Sequence, residues 1–361
     1  MSDFDDFFDD DPEWWDPYSC QPYKLKAAEK PRIQFANLFE YLKVAGVNLA
    51  LLPAIIYRYN TLRPITDRKH MADFTGISIA ADHASPEQLI ELVEELGAKN
   101  LLFRVKSWQT HRTQLERYAK FFEGFKGFDL TINILQSPAS VDNPTAWRNQ
   151  VRDTIDAFLP VCRRFQIGNA VNRSKWGCRH SGMALGLFES AQSVVEEYDG
   201  IDILGSSIID FEPLLTTRTL INWRRYNMQA CASQLYINRR GSPSGKQYRF
   251  FDLKRKIQLI AAINSLSAKT SAPFWITENN WPLLNTKPYT PNSGHPRSTV
   301  DEETQAQYLR EYFSIARDSR LVERCYWWQL INPGFGLIDH RSGVLRRMPA
   351  FHAFKELIAE G

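Results

Sequence analysis

From residue 74 onward the chain alternates between two hydrophobic periods, and that alternation leaves few ways to fold. Short apolar runs of strand character fall at 74–82, 100–106, 128–136, 164–170, 202–211, 229–237, 273–279 and 322–330. Amphipathic stretches with helical spacing separate them, at 85–97, 112–123, 144–159, 183–198, 214–226, 252–267 and 301–317, and a last one follows at 349–359. Such alternation calls for parallel strands joined by crossover helices. Eight units predict one closed (β/α)8 TIM barrel over residues 73–361, preceded by an N-terminal extension. Helix-start chemistry agrees. Ser85 with Pro86 and Gln88 has the residues of an N-cap, first turn and capping box, Asn143-Pro144 repeats the start, and Thr299 with Glu302 is expected to do the same.

The segment ahead of the barrel divides in two. Residues 1–16 carry eight acidic groups and no Lys or Arg, and like charges at that density predict a disordered tail. Residues 17–72 form an extension whose apolar run, 33–59, is densest from Val44 to Tyr57 and is interrupted by Asn48 and Pro53. That dense part is short of the roughly 20 residues needed to span a bilayer. A helix or hairpin packed on the barrel is one reading. Peripheral contact with a membrane surface is the other, supported by Lys24, Lys26, Arg32, Arg58 and Arg63 in the flanks.

A barrel of this kind does its chemistry at the C-terminal ends of its strands. The strand exits carry Asp82 and His83, Arg104 and Lys106, Asn133 and Gln136, Asn169 and Asn172, Asp210 and Glu212, Tyr236 and Asn238, Glu278 and Asn280, and finally Trp327, Trp328 and Gln329. A structural strand end needs only a turn residue or two. Amide, carboxylate, guanidinium and indole groups at eight successive exits predict a polar binding site.

Asn169-Ala170-Val171-Asn172 with Trp176 resembles the Asn-Glu-Pro-Asn motif on the fourth strand of clan A retaining glycosidases. Ile276-Thr277-Glu278 resembles the nucleophile motif on their seventh strand. Tyr326-Trp327-Trp328, Gly334-Phe335-Gly336-Leu337 and Pro349-Ala350-Phe351-His352-Ala353 resemble the eighth strand and closing helix of family 39 and cellulase-like members. The resemblance implies that Glu278 is the nucleophile and that Asn169 holds the sugar 2-hydroxyl. It also implies that Tyr236 orients Glu278, that Arg104 lies beside it, and that Trp327 or Trp328 is the stacking floor.

Ala170 departs from that pattern, because the family has its general acid/base Glu there. A methyl group can neither protonate a leaving oxygen nor activate water. Three explanations follow. Asp210 or Glu212, on the neighbouring fifth strand, supplies the proton; or the leaving group needs none; or the barrel binds a glycan and does not turn it over, the carboxylate being lost or altered.

Without its acidic tail the chain has 44 basic against 33 acidic residues, a net of +11. Arg104, Lys106, Arg112, Arg173, Lys175, Arg179, Arg239, Arg240, Lys246 and Arg249 lie in the predicted strand-to-helix loops, so an anionic oligo- or polysaccharide is the expected partner. Five cysteines without metal or disulfide spacing, and an acidic start where a secretory signal is basic, lead to an expected cytoplasmic location, peripheral to the inner face of a membrane on the reading of 33–59 as an interfacial segment. Cell-surface glycan metabolism suits that location better than nutrient digestion. The seven histidines are scattered and Cys178-Arg179-His180 is too short a cluster to claim zinc, so no metal is expected. No phosphate or dinucleotide loop is present, no cofactor is expected, and no nucleic-acid module is recognisable.

Overall fold

A computed structural model describes residues 11–65, 67–81, 83–109, 112–270, 274–290 and 298–360; Asp82 lies outside the described residues. Eight parallel strands close on themselves: β1 (Thr75–Ile79), β2 (Asn100–Lys106), β3 (Asp129–Leu135), β4 (Arg164–Ile167), β5 (Asp202–Ile209), β6 (Ala230–Gln234), β7 (Phe274–Asn279) and β8 (Val322–Trp327). β8 pairs with β1 through Cys325–Thr75, Tyr326–Gly76 and Trp327–Ile77, which seals the barrel. After each strand comes its helix: α1 (Pro86–Leu96), α2 (Arg112–Glu123), α3 (Pro144–Phe158), α4 (Ser181–Val195), α5 (Pro213–Leu220), α6 (Leu253–Asn264), α7 (Glu302–Asp318) and α8 (Pro349–Ala359). The alternation read from the sequence is the fold.

Local chemistry sets the helix starts. Ser85 accepts from the Gln88 N–H while the Gln88 side chain returns to the Ser85 N–H, closing the expected capping box. Asn143 caps α3 by accepting from the Thr145 and Ala146 N–H groups. For α7 the expectation placed the cap two residues early. Asp301, not Thr299, accepts the Thr304 N–H at 2.7 Å, because its carboxylate sits directly before the first helical residue.

The barrel interior packs Leu102, Leu204, Ala230, Ala232, Trp275 and Tyr326 into one layer. Gly76 makes room for it: a Cβ there would sit 2.3 Å from the Tyr326 ring. The larger apolar core lies between strands and helices.

The extension does two things the sequence left open. Most of its apolar run, including the dense part from Val44 to Tyr57, is a 24-residue helix, Leu38–Thr61, lying along α5 and α6. Asn48 interrupts the apolar pattern because it faces inward, where its amide donates to the Leu214 carbonyl at 3.0 Å. At the far end Gln258 donates to the Tyr59 and Leu62 carbonyls. The middle and the C-terminal end of the helix are therefore fastened to the barrel.

Residues 11–16, expected to belong to a disordered tail, are folded onto the barrel mouth. Trp15–Asp16 pairs antiparallel with Gln21–Pro22, and the hairpin is held from below by Lys175, whose ammonium donates to Gln21 and to the Pro22 carbonyl. The repulsion that argued for disorder is offset at Asp11, whose carboxylate meets Lys106.

Candidate active site

Glu278, near the end of β7, stands at the centre of the mouth with its side chain 9% exposed. The Arg104 guanidinium, from β2, donates to Glu278 Oε2, and the Tyr236 hydroxyl, just beyond β6, donates to Oε1. Burial pushes the Tyr236 hydroxyl far above its ordinary value, and the Glu278 charge pushes the same way. Trp328 supports the arrangement from behind: the Arg104 guanidinium carbon lies 3.4 Å from the centroid of its ring. Arg240 lies over the Tyr236 ring in the same way, at 3.3 Å.

Asn169 comes next to this carboxylate through the turn that follows β4. Gly168 and Ala170 both have positive φ, 69° and 45°, which folds the chain sharply. At Ala170 a left-handed conformation costs roughly 1–2 kcal/mol. Side chains fix the turn on both sides. Gln136 accepts the Asn169 N–H at 2.8 Å and donates to the Asn169 carbonyl, while Gln234 accepts the Ala170 N–H at 3.0 Å and donates to the Asn169 side-chain oxygen. Arg104 also reaches that oxygen, at 3.4 Å. Gln234 is a positioning group that the sequence reading missed, since the expected strand ran on to 237 whereas β6 ends at Gln234.

A cavity of about 250 Å³ opens over Glu278, lined also by Asn169, Asp210, Tyr236, Trp328 and Trp176. Among the described residues, Lys24, Arg104, Arg173, Lys175 and Arg240 line it against two carboxylates, Asp210 and Glu278. Burial pushes the Lys175 ammonium down to about 8, helped by the charge of Lys24 and opposed by Glu278. The expected cluster of mouth cations is thus partly neutralised by the chain itself. Lys106 pairs with Asp11, and Arg179 pairs with Asp142.

Other strand-end residues are placed differently from the expectation. Asn172, expected to bind substrate, spends its amide on the backbone: Nδ2 donates to the Ile209 carbonyl and Oδ1 accepts the Ile209 N–H, each at 2.9 Å. It braces the end of β5. Trp327 faces the core, fully buried and stacked on Trp281 at 6.0 Å, so Trp328 alone of the two meets the cavity. Asp210 and Glu212 lie beyond the end of β5, Asp210 at φ 64° and Glu212 just before α5. Arg173 joins them, donating to Asp210 at 2.6 Å and to Glu212 at 2.5 Å. Asp210 lines the Glu278 cavity, whereas Glu212 lines a neighbouring groove with Tyr248 and Arg239.

Ala170 is fully buried, in one apolar cluster with Trp15, Leu135 and Trp176. The N-terminal hairpin therefore covers the position where an acid/base carboxylate was expected. Among the described residues no group of His, Cys, Asp and Glu is arranged to hold a metal ion.

No family model matches the sequence, and no curated protein matches it. Solved structures do match the fold. The virulence factor SghA from Agrobacterium tumefaciens aligns at TM-score 0.56 and 10% identity, over 81% of this chain and 98% of that one. A GH30 endoxylanase from Clostridium papyrosolvens C71 gives 0.56 at 12%, over 82% and 74%. The β-glucosidase from Thermotoga maritima, in complex with glucoimidazole, gives 0.54 at 11%, over 76% and 86%. The chain shares the TIM-barrel fold of clan A glycoside hydrolases.

Proposed function

We propose that the protein acts on a glycan at the mouth centred on Glu278, as a retaining glycosidase or transglycosylase. The observation that carries this reading is the Glu278 carboxylate held at the barrel mouth by Arg104 and Tyr236, with Asn169 beside it. In the first step a Glu278 oxygen forms a bond to the anomeric carbon as the bond from that carbon to the leaving oxygen breaks. Attack by water or a second sugar hydroxyl then frees Glu278. Ala170 offers no proton to the leaving oxygen. Among the described residues Asp210 is the other carboxylate that lines the cavity, and it would first have to leave Arg173. Good leaving groups are therefore the favoured substrates. The rival reading, glycan binding without turnover, draws on the same Ala170 and on its cover by Trp15.

An aryl 2-fluoroglycoside, whose glycosyl-enzyme breaks down slowly, distinguishes the two. Intact-protein mass spectrometry should show one glycosyl group on the native chain and none on Glu278→Gln. A native chain that binds the glycoside but gains no mass is a silent binder.

An anionic glycan fits a cavity with five cations and two carboxylates. The same proposal includes contact with an anionic membrane surface, a cytoplasmic location and a role in cell-surface glycan metabolism. Support comes from the outward side of helix Leu38–Thr61, where Leu38, Leu42, Leu49, Leu52 and Ile56 recur at helical spacing and are all exposed. Trp223, fully exposed, lies beside a groove under the same helix. Lys26, Lys30, Arg32 and Arg63 are exposed at its two ends, complementing anionic headgroups. The helix is long and apolar enough to cross a membrane. Its inner side is tied to the barrel along its length, however, so its outer side suits lying in an interface.

A further inference from the structure

The segment that covers Ala170 carries both a ring and a carboxylate, and the pocket that receives them is built for both. Asp11 places its two oxygens 2.8 and 2.6 Å from Lys106 Nζ, and the Trp108 indole N–H donates to the first of them at 3.1 Å. Only 7% of the Asp11 side chain and 15% of the Lys106 side chain remain exposed. The same ammonium lies 5.4 Å from the centroid of the Trp15 ring. That ring sits between Trp108, at 4.8 Å, and Trp176, at 5.7 Å, with Leu135 and Ala170 beneath. A six-membered ring bearing a carboxylate, walled by indoles and held by the Lys106 ammonium, has the chemistry of a uronic acid residue.

We propose that Lys106, Trp108 and Trp176 form a second saccharide subsite, specific for a uronate, which the chain's own segment 11–22 occupies as a stand-in. This rests on the reading of Glu278 as the centre of a glycan site, because the subsite lies against Ala170, where the leaving group of a sugar at Glu278 would extend. Trp15 fits the subsite imperfectly. Its indole N–H is buried with no acceptor among the described residues, a deficit that a strap evolved only to seal the mouth would not need. The cavity left over Glu278 shares Ser19, Cys20 and Gln21 of this segment as its wall. Withdrawal of the hairpin therefore joins the two spaces into one cleft.

Calorimetry on the full chain tests this, with oligomers of glucuronate, galacturonate and mannuronate against neutral oligosaccharides of equal length. Asp11→Asn, which loosens the strap by removing its ion pair with Lys106 and leaves the Trp15 side chain unaltered, should bind a uronate oligomer about tenfold tighter than the native chain. Neutral oligomers should be unaffected, and Lys106→Met in the Asp11→Asn background should remove the gain. A synthetic peptide spanning residues 11–24 should compete with the uronate. A second measurement uses the native chain alone: hydrogen exchange of the amides in 11–24 should accelerate when a uronate oligomer saturates the protein. Equal gains for neutral and uronate oligomers, or unchanged exchange at saturation, overturn the subsite while the Glu278 reading stands. If no oligosaccharide of either kind binds any form, the Glu278 reading falls as well.

Discussion

Arg104 and Glu278 leave β2 and β7 and meet as an ion pair over the barrel mouth, each side chain 9% exposed. Strands β8 and β1 lie between them, so the pair spans the mouth and depends on the closed ring. Its removal should show in stability as well as in function. Arg104→Ala leaves a buried carboxylate without its cation, at a cost of about 3–5 kcal/mol. Replacing both partners, Arg104→Met with Glu278→Leu, should recover most of that loss. Denaturant unfolding of the single and double variants checks it, and a double variant as unstable as the sum of the singles would refute the pairing.

Restoring a carboxylate at position 170 should fail on its own. Ala170 is fully buried under Trp15 and has positive φ, so Ala170→Glu must displace the hairpin. The expected outcome is a destabilised, inactive single variant. Ala170→Glu with Trp15→Gly should hydrolyse an unactivated glycoside with a bell-shaped pH profile. Hydrolysis by the single variant at the rate of the double one would show that Trp15 is no obstacle.

The charge at Lys175 should govern anion binding near neutrality. Its ammonium is pushed down to about 8, so it loses charge as the pH rises through that value. Affinity for an anionic oligosaccharide should fall between about pH 7 and 9, and Lys175→Arg should flatten the profile. Folding stability should move the other way. Because the folded value lies below the unfolded one, the unfolded chain binds more protons between about 8 and 10.4, and stability rises with pH there. Lys256, also pushed down to about 8 by burial, adds to the same slope. An affinity that does not change across that range would remove Lys175 from the site.

Vesicle flotation addresses the outer side of helix Leu38–Thr61. The native chain should float with vesicles containing anionic lipid and less with neutral ones, with added salt weakening the binding. Leu42→Ser, Leu49→Ser and Leu52→Ser together should abolish flotation while the melting temperature stays close to native, since all three side chains are exposed. Flotation retained by the triple variant would place any membrane contact elsewhere.

Sequence periodicity was enough for the barrel, because strand and helix spacing are local properties and each run carried its own. The caps at Ser85 and Asn143 were readable for the same reason, whereas at α7 two polar residues competed and the nearer, Asp301, took the role. Strand-exit positions also identified Glu278, Arg104, Tyr236 and Trp328 as neighbours, since barrel geometry gathers the exits on one face.

Direction and pairing belonged to the tertiary structure. Nothing local distinguishes Trp327 from Trp328, yet one is stacked in the core and the other supports Arg104. Asn172 looked like a ligand-binding amide until the closing of β5 against the β4 turn claimed both its polar atoms. Acidic residues 11–16 read as self-repelling, and within their own segment they are. Only a folded barrel presents Lys106, 95 positions away, in a pocket where Asp11 exchanges that repulsion for a buried ion pair. A contact of that kind exists only once the ring has closed, and so no stretch of sequence contains it.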